Sequence, residues 1–89
     1  MYFGDCANAP YGEKPPEKIR EMVFSRAARL CCRAKALVLA CNTATAVAAA
    51  ELRAEFPLPV IGMEPAVRPA LRVCPHPRVL VLATKATLA

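Results

Sequence analysis

The sequence predicts an α/β domain with a largely parallel sheet flanked by helices, and three observations carry that expectation. Segments with apolar residues at helical spacing alternate with short apolar runs, the rhythm of strand–helix–strand units. The runs over residues 36–40 (ALVLA) and 78–83 (RVLVLA) are almost unbroken by polar residues, as expected of strands buried on both faces. Polar residues that interrupt the apolar pattern fall where those strands end, and ligands gather at the carboxyl ends of parallel strands.

Each element has its own local warrant. MYFGD reads as the end of a strand, with Gly4 and Asp5 marking its exit, and CANAPYGEKPP as a loop rich in Pro, Gly and Asn. A helix begins at Pro16. Two prolines stand at the one place a helix tolerates them, Glu17 suits the first turn, and Ile19, Met22, Val23, Ala27 and Leu30 recur at spacings of three and four. ALVLA follows as a strand. A second helix is expected from Thr43 or Ala44 until Pro57 stops it. LPVIG is the next strand, EPAVRPALR a short helix opened by Pro65 and disturbed by Pro69, and RVLVLA a further buried strand leading into TKATLA.

Composition narrows the class. The 89 residues are 56% hydrophobic and 21% charged, enough for one small domain and far from a disordered chain. The net charge of +5 comes largely from basic residues between Lys14 and Lys35, interspersed with Glu13, Glu17 and Glu21. That is the pattern of a solvated helix face, and without Trp or interleaved aromatic residues it does not support a nucleic-acid surface. The five cysteines include the adjacent Cys31 and Cys32 but no C-x-x-C pair, so neither a disulfide framework nor a zinc ribbon is expected. The opening residues lack the basic region and apolar core of a signal peptide, and no apolar stretch is long enough to span a bilayer. A reducing, cytoplasmic setting fits these features.

Residues 35–51, KALVLACNTATAVAAAE, hold the candidate site. Cys41, Asn42 and Thr43 place a thiol, an amide and a hydroxyl in succession between a strand and a helix. A helix start offers free N–H groups and a positive pole, which favour a thiolate and bind a carboxylate or a phosphate. Spacing alone also fits a cysteine that merely packs and a threonine that merely caps. Tyr11 and Gly12 in PYG make either a simple turn or a ligand loop in which Gly12 offers a bare backbone and Tyr11 a lid. Thr84 and Thr87 in TKAT either cap the last helix or present hydroxyls to a ligand. His76, between two prolines with Cys74 nearby, reads as an exposed connection, since one histidine and one cysteine are too few for a metal site. No metal is expected, and Cys6, Cys31, Cys32 and Cys74 read as structural or incidental. No phosphate loop, G-x-G-x-x-G or H-E-x-x-H occurs.

Four segments, YFGDCANAPYGEK, ALVLACNTATAVA, PVIGMEPAVRPA and VLATKATL, resemble in sequence and order those of the bacterial glutamate racemases of the aspartate/glutamate racemase superfamily. The pairing of ACNTATA with an upstream APYGEK is the specific part, and it makes the related aspartate and hydantoin racemases the lesser alternative. The resemblance implies cofactor-independent interconversion of L- and D-glutamate in the cytoplasm, supplying D-glutamate for peptidoglycan, cell wall biogenesis and cell shape. It implies two cysteines on opposite faces of the substrate α-carbon, with Cys41 as one of these catalytic thiols. It further implies that Tyr11 and Gly12 belong to the substrate-binding loop, that Asn42 and Thr43 contact the amino acid, and that Thr84 and Thr87 line its pocket. The partner is the small molecule glutamate, with neither nucleic acid nor membrane; a homodimer is an expectation for the full-length enzyme.

The chain departs from the family in three ways. The family's first strand with its Asp-Ser-Gly loop and its later Gly-Cys-Thr-His segment do not occur in these 89 residues, and Cys6 stands where Ser, Thr or Asn is more familiar. Residues 1–89 are therefore expected to be a partial racemase domain, lacking the first strand and the second catalytic half. On this reading the fragment is inactive alone, and the rival is an inert truncated module that binds carboxylates or a partner.

Overall fold

The computed structural model describes residues 1–73, 75 and 78–89; Cys74 and His76, and with them the expectation of an exposed His76 connection, lie outside the described residues. A short 3-10 turn at Cys6–Asn8 precedes α1 (Pro16–Cys31), β1 (Leu37–Leu39), α2 (Asn42–Glu55), β2 (Val60–Gly62), α3 (Val67–Val73) and α4 (Lys85–Leu88). β1 and β2 pair in parallel, with Leu37 opposite Val60, Val38 opposite Ile61 and Leu39 opposite Gly62. The α/β expectation holds, as a strand–helix–strand unit with α1 added to it.

α1 starts where its prolines predict, with Pro15 at the N-cap and Pro16 in the first turn. It buries Ile19, Met22, Val23 and Ala27, one stripe at helical spacing. α2 buries Ala44, Ala48, Ala49 and Leu52. Of these, Ile19, Val23, Ala27, Ala44, Ala48 and Leu52 meet Leu37 and Val60 in a single core, so small alanines on α2 leave room for the larger side chains of α1. The helices are also tied by the Arg20 to Glu51 ion pair at 2.8 Å and by the tilted Phe24 and Phe56 rings, 6.0 Å apart. Arg53 Nε donates to the Val60 carbonyl at 3.1 Å, fastening α2 to β2.

Five local expectations need correction. First, residues 1–5 form no strand; Phe3 instead lies under the Arg26 guanidinium, 5.5 Å from the ring centroid. Second, residues 78–83 form no strand, and Leu80 and Leu82 are 85% and 87% exposed. A strand exists through its hydrogen-bonded ladder, and among the described residues only β1 and β2 supply one to each other. Third, β1 is covered on one face only: Leu37 and Val60 are buried against the helices, whereas Val38 is 62% and Ile61 54% exposed. Apolar content alone does not reveal which layers are present to cover a strand. Fourth, α2 begins at Asn42 rather than at Thr43 or Ala44, because Cys41 takes the cap. Fifth, α3 begins at Val67 rather than at Pro65 and is not disturbed by Pro69, which lies within its first turn where it costs no hydrogen bond, so the helix runs on to Val73. Among the described residues no helix is long and apolar enough to cross a membrane.

Candidate functional site

Cys41 sits where β1 gives way to α2. Its backbone is extended (φ −143°, ψ 123°), and its Sγ accepts a hydrogen bond from the Ala44 N–H at 3.4 Å. A thiol thus occupies the role usually filled by Ser, Thr, Asp or Asn, taking up one of the free donors at the helix start. The side chain is half-buried and borders a cavity of about 360 Å³ along β1, between α1 and the N-terminal segment. Its walls are largely apolar, with Val23 and Leu37 among them, and its polar side chains are those of Tyr2, Asp5, Tyr11, Arg26 and Cys41.

Tyr11 is fixed across this cavity by Asp5. The phenol donates to Asp5 Oδ2, Asn8 Nδ2 donates to Asp5 Oδ1 at 2.8 Å, and Arg26 Nε stands 3.6 Å from Oδ2. The hydrogen bonds from Tyr11 and Asn8, followed by the Arg26 charge, hold the Asp5 carboxyl below its usual range. Burial pushes the Tyr11 phenol up to about 12, and the hydrogen bond to Asp5 and its negative charge add to that shift. Tyr11 is therefore a neutral phenol whose proton is committed to Asp5.

On the other side of Cys41 the polar groups are hydroxyls. Thr43, only 4% exposed, has its Oγ1 2.8 Å from Thr84 Oγ1, which in turn lies 3.1 Å from Thr87 Oγ1. Thr84 also caps α4 by accepting from the Thr87 N–H at 3.3 Å. Gly12 packs directly against this group: a Cβ there would meet Thr84 Cγ2 at 2.4 Å, closer than atoms can approach. The glycine thus lets the loop carrying Tyr11 close on the 84–87 turn without displacing Thr84.

The candidate residues accordingly fall into three places. Cys41 and Tyr11 share the first cavity, while Gly12, Thr43, Thr84 and Thr87 come together beside it. Asn42 is exposed and lines a second cavity with Pro65, Val67 and Val79, away from the first. Among the described residues no group of three or more His, Cys, Asp or Glu side chains could hold a metal ion.

Sequence reasoning passed over Asp5, Asn8 and Arg26, because a carboxylate and a phenol joined across an irregular loop leave no periodic signature. It also passed over Thr45, whose position four residues beyond Cys41 was the available signal.

Comparison with known proteins supplies the wider frame. The Asp/Glu/Hydantoin racemase family model matches residues 2–89. Glutamate racemase 2 of Bacillus subtilis is 48% identical over 91 residues, covering 99% of this chain and 34% of its own. The glutamate racemase of Ectopseudomonas mendocina is 54% identical over 90 residues, again covering 99% of this chain and 34% of its own. The crystal structure of glutamate racemase from Campylobacter jejuni superposes with a TM-score of 0.85 at 35% identity, covering 98% of this chain and 36% of that one. The chain thus spans about a third of the length of the relatives it matches. With the family model matched from residue 2 to residue 89, the chain belongs to the Asp/Glu/Hydantoin racemase family.

Proposed function

We propose that this chain is the part of a glutamate racemase that carries Cys41, one of two thiols that exchange the α-proton of glutamate without a cofactor. The observation that carries the reading is the thiol at the cap of α2, at the carboxyl end of β1, bordering the cavity it shares with Tyr11. Its relatives of 48% and 54% identity, both named glutamate racemases, support glutamate over aspartate or hydantoin as substrate.

The reaction explains why these groups are needed. Removing the α-proton leaves negative charge on carbon, so donors must already stand around the substrate in a site that excludes water. On this reading Cys41 takes or returns the proton on one face, and a second thiol, from the remainder of a full-length chain, acts on the other. The N–H groups at the start of α2 and the hydroxyls of Thr43, Thr84 and Thr87 hold the charged ends of the amino acid. Tyr11, its proton engaged by Asp5, closes the cavity, and Gly12 lets its loop approach Thr84. The physiological setting proposed is the cytoplasm, where the product D-glutamate enters peptidoglycan synthesis.

The test is a chimera in which the remainder of a relative's chain completes these residues. Cys41→Ala is expected to abolish the formation of D-glutamate from L-glutamate while glutamate binding persists. Near-normal turnover by Cys41→Ala would refute the assignment.

A further inference from the structure

Thr45 is buried, 7% exposed, and its hydroxyl joins two separate pieces of backbone. Oγ1 donates to the Cys41 carbonyl at 2.9 Å and accepts from the Met63 N–H at 3.0 Å, just beyond β2. Donation to the carbonyl four residues back is a common habit of threonine in helices and means little by itself. Here the same oxygen also receives a donor from the next strand's end, so the carboxyl ends of β1 and β2 are clamped together through one atom. The Cys41 carbonyl additionally accepts the Thr45 N–H at 3.0 Å, so both polar groups of Thr45 converge on the residue bearing the thiol. Gly62 makes room for the clamp: a Cβ there would stand 2.4 Å from Thr45 Cγ2.

We infer that Thr45 is a positioning residue for Cys41, setting the thiol at the mouth of its cavity by locking the first turn of α2 to the end of β2. This rests on the reading of Cys41 as a proton-transferring thiol. Serine keeps the hydroxyl, whereas valine keeps the shape and removes both bonds, leaving the Met63 N–H without its acceptor. The two substitutions therefore separate positioning from packing.

The test uses the 89-residue chain with Thr45→Ser and Thr45→Val. Amide exchange of Met63 is followed by NMR, and Cys41 alkylation at fixed pH is followed by mass spectrometry. Cleavage after Lys35 and Arg53 isolates Cys41 as the one cysteine of residues 36–53. In Thr45→Val the Met63 amide is expected to exchange about tenfold faster, with Cys41 alkylation rising in step, and in Thr45→Ser both are expected to match the parent. Equal behaviour of the valine and serine variants would overturn the inference. Should the valine variant fail to fold, the parent decides: a Met63 amide exchanging as fast as those of exposed residues overturns it. Cys41→Ala in the full-length chimera reports separately on the acid/base reading, so retained turnover there beside a slow Met63 amide here would fault that reading and not the clamp.

Discussion

The two sides of Cys41 are built on different chemistry. Toward the N-terminal segment, Tyr11, Asn8 and Arg26 converge on one carboxylate, Asp5, and charge holds the corner together. Toward the C-terminal segment, Thr43, Thr84 and Thr87 form a string of neutral hydroxyls. The first arrangement consumes its donors internally and so acts as a fixed wall. Hydroxyl protons rotate at little cost, so the second can reorient toward a ligand carrying both a carboxylate and an ammonium group. The racemisation proposed above would draw on both properties, rigidity where the α-carbon is held against the thiol and adaptability where two enantiomers are accepted in turn.

The sharpest break of this comparison removes what both sides surround. In the completed enzyme Cys41→Ser is expected to be almost as inactive as Cys41→Ala, since a hydroxyl is far harder to ionise than a thiol. Steady-state racemisation followed by chiral chromatography checks it. The 89-residue chain alone is expected to form no D-glutamate in the same assay.

Gly12→Ala strikes the seam between the two sides. Its Cβ would meet Thr84 Cγ2 at 2.4 Å, so Thr84 must move away from Thr43 and Thr87. The expected loss is about 1 to 3 kcal/mol of stability, measured by denaturant unfolding of the completed chain. Thr43→Val leaves the seam closed and removes one hydroxyl of the string. A loss of about 1 kcal/mol, with KM raised and kcat lowered together, is the expected outcome. Unchanged kinetics would place the hydroxyl string outside the site.

The charged side is best probed by pH. Tyr11 has its pKa raised from 10.0 to about 12, so its contribution to stability is fully present below pH 10 and is lost as pH rises through about 12. Ultraviolet titration of the phenolate in a Tyr2→Phe background measures this. Asp5→Asn is expected to bring the Tyr11 titration down only part of the way, because burial is the larger cause and remains. Asp5, held low, contributes stability above its ordinary value of 3.8 that is lost as pH falls below it. The smallest effect is expected for Asn42→Ala, an exposed amide on the second cavity, at about 1 kcal/mol or less in transition-state stabilisation.

Much of this fold was legible in the chain. Pro15 and Pro16 announced α1, the spacing of Ile19, Val23 and Ala27 announced its buried face, and Pro57 marked the end of α2. These are local rules, enforced by backbone sterics and helical period wherever the segment is placed. The candidate thiol was legible too, because a run of apolar residues that stops at Cys41, Asn42 and Thr43 marks a strand's end without any knowledge of the sheet.

What the tertiary structure decided is which distant groups share an atom. Asp5 reads as loop punctuation until Tyr11 and Asn8 are seen to donate to it, and Thr45 as a helix residue until the Met63 N–H arrives from the end of β2. Residues 78–83 show the converse: their apolar pattern suits a strand, yet a ladder needs a neighbour at hydrogen-bonding distance, and local propensity cannot supply one. Local sequence determined α1, α2 and the thiol at the start of α2, because those follow from short-range sterics and hydrophobic period. Only the folded chain decided the partners of Asp5, Thr43 and Thr45, because hydrogen bonds between remote segments depend on how those segments are brought together.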